Sequence, residues 1–157
     1  MFKKILVCLD GSELSEQILP YAEEQALHFI SKLVLIRVYT EPGFIGLAVP
    51  GFPGIPIETQ GMGKQIEREQ QEAEQYLKTI AEKLLKQRGL TAECVTMLGV
   101  AGETIVKYAA ENKVELITLA THGRSGPSRV VMGSVADYVL RHAHLPILLV
   151  RPEVKKI

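Results

Sequence analysis

The residues of this chain best suited to chemistry lie between Ala120 and Ser134, read as Ala120-Thr121-His122-Gly123-Arg124-Ser125-Gly126-Pro127-Ser128-Arg129-Val130-Val131-Met132-Gly133-Ser134. The stretch follows an apolar, strand-like run from Val114 to Leu119 and precedes a helical pattern from Val135 to Ala143. A glycine-bearing loop between a strand and a helix is where α/β proteins hold phosphates. Gly123 lets backbone approach a ligand with no Cβ in the way. Gly133-Ser134 opens the next helix, whose unpaired N–H groups and positive dipole end favour an anion. Arg124 and Arg129 are either forks for phosphate or solvated loop charges. His122 either faces a ribose or phosphate or makes a local hydrogen bond. Together these residues predict a nucleotide binder.

Other chemistries find less support. Gly63-Lys64 is followed by Gln65 and position 58 is Glu58, so G-x-x-x-x-G-K-[ST] is absent, and no G-x-G-x-x-G follows the first strand-like run. No Ser–His–Asp order can be assigned, and no second carboxylate is placed for acid–base work. His142-Ala143-His144 reads as helix-end histidines beside the negative dipole end rather than as a metal site.

Composition sets bounds. At 157 residues the chain fits one domain. A chain of this size buries roughly 70% of its unfolded surface, so it needs no staples. Lys+Arg and Asp+Glu are equal at 18 each, which leaves no electrostatic footprint for polynucleotide or anionic membrane. No run approaches the ~18 apolar residues of a membrane span. The start, Met1 to Asp10, has no small-residue cleavage site, so a cytoplasmic setting is expected. Cys8 and Cys94 are then buried free thiols.

The elements that must position the loop alternate. Strands are expected at Lys3 to Leu9, Leu33 to Tyr39, Ala92 to Leu98, Val114 to Ala120 and Pro146 to Val150. The first helix follows an Asp10-Gly11-Ser12 turn, with Ser12 as cap. Leu14, Ile18, Ala22, Ala26 and Phe29 form its apolar stripe, and Pro20 kinks it. Lys64 to Arg88 is a long helix with Ala73, Leu77, Ile80, Ala81 and Leu84 on one face. Glu74–Lys78 and Glu82–Lys86 pair on the other, and Gly89 stops it. Gly102 to Asn112 turns Ile105, Val106, Ala109 and Ala110 inward, and Ser134 to Ala143 is the last helix. The segment from Glu41 to Gly63, with six glycines and four prolines, is no regular element. It is either a simple connection or a lid or partner contact. The tail, residues 152–157, is expected to fray.

Five strands alternating with four helices predict a single-domain, doubly wound α/β fold, a five-stranded parallel sheet covered by helices on both faces. Ligands bind such sheets beyond the strand carboxyl ends, where the strand order reverses. If the first and fourth strands are neighbours, the Asp10 turn and the Ala120–Ser134 loop meet there. A strand between the first and third would hold Cys8 and Cys94 roughly 9–10 Å apart, beyond the ~7 Å that a disulfide tolerates.

Three motifs together resemble the universal stress proteins, specifically their ATP-binding branch. The pattern G-x2-G-x9-G-[ST] falls on Ala120, Gly123, Gly133 and Ser134, with Ala120 one methyl group away from it. The opening Lys3 to Ser12 and the ending His144 to Arg151 also resemble the family. The resemblance implies an adenine nucleotide alpha hydrolase-like fold that binds ATP, or another adenine nucleotide, with magnesium. It puts Asp10 near the phosphates and the metal, Val38 against the adenine, and Leu98, Gly99 and Val100 around the base. Ala120, Gly123, Gly133, Ser134 and Val135 would line the phosphate loop. Each has a plainer reading as turn, cap or core. The resemblance also implies a homodimer through Ile147 to Val150, an apolar run that would otherwise be an exposed sheet edge, and a regulatory protein partner. A slow ATPase and a nucleotide-free dimeric interaction module are the alternatives to a nucleotide-dependent sensor.

Overall fold

Five short runs pair side by side, the central ones apolar on both faces. In the computed structural model, which describes residues 1–40, 61–122 and 132–153, they are β1 (Lys4–Cys8), β2 (Lys32–Tyr39), β3 (Ala92–Leu98), β4 (Leu116–Ala120) and β5 (Ile147–Val150). All pairings are parallel, in the order β3-β2-β1-β4-β5. The chain winds outward from β1 to β3, then returns to pair β4 with the other side of β1. The expected doubly wound sheet is therefore present, with its switch point between β1 and β4.

The period of two sends alternate side chains to two cores. Ile5, Val7, Leu9, Leu33 and Leu35 pack against α2 (Leu19–Phe29) and α3 (Met62–Arg88). Leu6, Cys8, Val34 and Ile36 pack against α4 (Ala101–Glu111) and α5 (Ser134–His142). Each fully buried Leu, Ile or Val is worth about 1.5–3 kcal/mol relative to exposure.

Three expectations are corrected in detail. The kinked first helix is two helices, α1 (Glu13–Glu16) and α2, because Pro20 sits in the first turn of α2, where its missing N–H costs nothing. Ala110 is exposed while Tyr108 is buried; Ala110 lies about 100° round the helix from Ala109, off the inward stripe. The start of the tail is docked. Pro152 is buried, the Gln17 side-chain amide donates to the Glu153 carbonyl at 2.9 Å, and the Glu153 N–H donates to Gln17 Oε1 at 2.7 Å.

The long helix carries the expected apolar face, with Ala73, Leu77, Ile80 and Leu84 buried. Its stop is Gly89 at φ 66°, the left-handed conformation glycine adopts without penalty. Among the described residues the ion pair within this helix is Arg68–Glu72, and Glu74 accepts from Gln70. Cys8 stands opposite Ile36 and Cys94 opposite Leu35, so β2 separates two free thiols. Burial pushes both thiols above their ordinary range. Among the described residues no helix is long and apolar enough to cross a membrane.

Candidate functional site

A cleft of about 450 Å³ opens at the carboxyl ends of β1, β2 and β4. Its first wall is the turn after β1. The Asp10 carboxylate accepts from the Ser12 N–H at 2.9 Å and from the Ser12 hydroxyl at 2.6 Å. Ser12 Oγ in turn caps α1 by accepting from the Ser15 N–H at 3.1 Å. The Ser15 hydroxyl donates to the Ser12 carbonyl at 2.8 Å. Gly11 makes the turn possible at φ 87°, a conformation side chains resist. Asp10 is thus a turn residue, as its plainer reading held, and it lines the cleft as well.

The second wall is the β4–α5 junction. The Thr121 N–H continues the β4–β5 ladder by donating to the Val150 carbonyl at 2.8 Å. The Thr121 carbonyl then accepts from the Gly133 N–H at 2.8 Å, which brings the start of α5 to the end of β4. Gly133 is the N-cap of α5 and offers no side chain to its first turn. The N–H groups of that turn are the kind of donors an anion takes. The His122 ring meets the Thr121 hydroxyl, Nδ1 to Oγ1, at 3.0 Å.

Of the residues singled out in the sequence, Asp10, Val38, Ala120, His122, Gly133, Ser134 and Val135 all line this one cleft. Leu98, Gly99 and Val100 sit at the end of β3 and the entry to α4, with Leu98 and Val100 exposed. Their neighbour Ala101, rather than these three, lines the cleft. Gly123, Arg124 and Arg129 lie outside the described residues, as do residues 41–60 of the Gly/Pro segment. His142 belongs to the end of α5. Its Nδ1 donates to the Tyr138 carbonyl at 2.8 Å and its ring stacks on Tyr138 at 4.0 Å.

The sequence reading missed Arg37, Tyr39, Thr40 and Glu69 and gave Thr121, within its loop, no role of its own; all five also line the cleft. Arg37 is the notable omission because it is only 8% exposed. Its guanidinium lies over the Tyr76 ring, 5.1 Å from the centroid. The Tyr76 hydroxyl donates to Glu16 at 3.0 Å. Burial first, and the Glu16 carboxylate next, push the Tyr76 phenol well above its ordinary range. The signal was available: covered parallel strands read as continuous apolar runs, and an arginine inside Leu33-Val34-Leu35-Ile36-Arg37-Val38 breaks one.

Asp10 is a hard oxygen donor of the kind magnesium takes. Among the described residues no group of three or more His, Cys, Asp or Glu is placed to hold a metal. A magnesium ion here would depend on phosphate oxygens for other ligands, an ordinary arrangement for that ion.

Comparison with known proteins agrees with this architecture. The sequence profile of the universal stress protein family matches residues 1–151. Universal stress protein MJ0531 of Methanocaldococcus jannaschii is 30% identical over 156 residues, covering 99% of this chain and 86% of the relative. The solved structure of MJ0577 from the same organism superposes with a TM-score of 0.80 at 24% identity, covering 98% of each chain. A universal stress protein solved in complex with cAMP superposes with a TM-score of 0.60 at 21% identity, covering 97% of this chain and 98% of the other. At these identities the superpositions establish the shared fold. The profile match across nearly the whole sequence goes further: this chain belongs to the universal stress protein family.

Proposed function

We propose that this protein binds an adenine nucleotide, ATP foremost, in the cleft between the Asp10 turn and the β4–α5 junction, and acts as a regulatory sensor in a stress response. The observation that carries the reading is the convergence of two distant motifs on one cleft. Asp10 and the Ala120, Gly133 and Ser134 positions line it together, beside a helix start that no side chain caps. The relative in complex with cAMP supports an adenine nucleotide as the ligand class.

In this reading α5's first-turn N–H groups and the Ser134 hydroxyl hold phosphate oxygens. Gly123, Arg124 and Arg129 complete the phosphate loop. Val38 packs on the adenine, with Leu98, Gly99 and Val100 at the rim. Asp10 holds magnesium, which when bound neutralises phosphate charge. The protein acts by population shift. Nucleotide has differential affinity for one arrangement of the 120–134 segment and so alters a surface read by a protein partner. A homodimer through Ile147–Val150 fits, because β5 ends the sheet and those residues are half-buried. The setting is the cytoplasm, which keeps thiols such as Cys8 reduced.

Hydrogen exchange with and without ATP tests this reading. Protection is expected at residues 10–15 and 120–136 together. An exchange pattern unchanged by saturating ATP, ADP and AMP would contradict it.

A further inference from the structure

Arg37 is a cation on the β2 wall of the cleft, across β1 from the β4–α5 junction. It follows Leu33 and Leu35 on the face of β2 that meets α3, but lies one step nearer the strand's carboxyl end. It is 8% exposed and lines the cleft. Tyr76 covers one face of the guanidinium, with Cζ 5.1 Å from the ring centroid. The group also lies against Gly11, where an added Cβ would sit 3.1 Å from Cζ and 3.2 Å from either terminal nitrogen. Ring stacking occupies a face of the guanidinium, and its N–H donors lie in the guanidinium plane. The carboxylates of Asp10 and Glu69 line the same cleft, and Glu16 is tied to Tyr76. The guanidinium therefore has counter-charge about it. Burying a cation is costly, and a position in a ligand cleft gives that cost a use.

The two places that favour anions are separated. Arg37 lies near the carboxyl end of β2 on the face that meets α3, and Gly133-Ser134 open α5 on the other face, with β1 between β2 and β4, whose backbones stand two strand spacings, roughly 9–10 Å, apart. A nucleoside monophosphate brings one anionic group to two such places. A polyphosphate carried on a nucleoside brings more than one.

We propose that Arg37 binds a phosphate of the nucleotide remote from the one at α5, so that the cleft selects nucleoside polyphosphates over monophosphates, and does so without a divalent cation. This rests on the nucleotide-binding reading above and names which nucleotides that site takes. The guanidinium fork pairs two phosphate oxygens, and its permanent charge acts whether or not magnesium is held at Asp10.

The test is equilibrium titration of the full chain with ATP and with AMP, in EDTA, for wild type, Arg37→Gln and Arg37→Lys. Wild type is expected to prefer ATP. Arg37→Gln should weaken ATP binding about ten- to hundredfold, the worth of a hydrogen bond to a charged group, and leave AMP within about threefold, so the preference collapses. Arg37→Lys, which keeps the charge and loses the fork, should fall between. The ratio of the two affinities within one variant is insensitive to any loss of folded protein. An Arg37→Gln ratio equal to that of wild type would overturn the proposal alone, as would a wild type with no preference for ATP in EDTA. A wild type that binds neither nucleotide, with or without magnesium, would overturn the nucleotide reading and this inference with it.

Discussion

The Gly133 N–H donates to the Thr121 carbonyl at 2.8 Å, and a Cβ on Gly133 would sit 2.7 Å from that same oxygen. One contact thus closes the β4–α5 junction and forbids a side chain there. The neighbour is backbone, held in place by the Thr121 N–H bond to Val150 at 2.8 Å, so it cannot yield as a flexible side chain would. Gly133→Ala should destabilise the fold by about 1–3 kcal/mol, the usual cost of overpacking, and weaken nucleotide binding tenfold or more. Urea unfolding and ligand titration of the same variant check both effects. A variant with wild-type stability and affinity would show that the junction is not closed this way.

Asp10 has two separable duties. Its carboxylate organises the turn by accepting from the Ser12 N–H and hydroxyl, and in the proposed function its charge meets magnesium. Asp10→Ala should cost about 1–2 kcal/mol of stability through the lost acceptor and also lose metal-assisted binding. Asp10→Asn keeps an oxygen acceptor. It should retain most of the stability while magnesium no longer strengthens ATP binding. If Asp10→Asn responds to magnesium as wild type does, the ion is not held at Asp10.

Much of this arrangement was legible because the sheet's rules are simple. Parallel strands covered on both faces must be short aliphatic runs, so Ile5-Leu6-Val7 and Leu116-Ile117 announce themselves, and the alternation with helices then dictates a switch point. Ser12 and Gly89 were legible as a cap and a stop because their chemistry is local. Arg37 was legible only as a break in an apolar run, because its meaning depends on α3 delivering Tyr76 from 39 residues further along. Glu69 escaped for the same reason, being one of many charges on a long helix whose docking angle no local pattern states. The docking of Glu153 on Gln17 likewise turns on a contact between segments remote in sequence.

Cys8 gives the fold an alkaline weakness. Burial raises its thiol pKa in the folded state, while in the unfolded chain a cysteine titrates near about 8.5. Below that pH both states bind the proton and its contribution is complete. Above it the unfolded chain releases the proton and the native state does not, so stability falls as pH rises. Cys94 shifts in the same direction for the same first cause. Denaturant midpoints between pH 7.5 and 10 should therefore decline, and Cys8→Ala should shallow the decline without abolishing it. An identical slope in the variant would contradict burial as its source.

Gly102 and Tyr138 join α4 to α5. A Cβ at Gly102 would lie 2.8 Å from the Tyr138 Cβ, Cγ and Cδ1 atoms, and Tyr138 in turn stacks on His142. Gly102→Ala should cost about 1–3 kcal/mol and shift the His142 ring resonances by NMR. Pairing it with Tyr138→Ala should recover part of the loss, since the two costs share one contact. Strict additivity would mean that the clash is relieved elsewhere.

The central claim is that the cleft holds an adenine nucleotide, and calorimetric titration of the natively purified chain with ATP and magnesium tests it most directly. Any nucleotide carried through purification should first be released by denaturation and identified by mass spectrometry. The account predicts saturable binding at one site per chain, or co-purified adenine nucleotide already filling it. A protein that carries no nucleotide and gives no binding by ATP, ADP or AMP at millimolar concentration would contradict it.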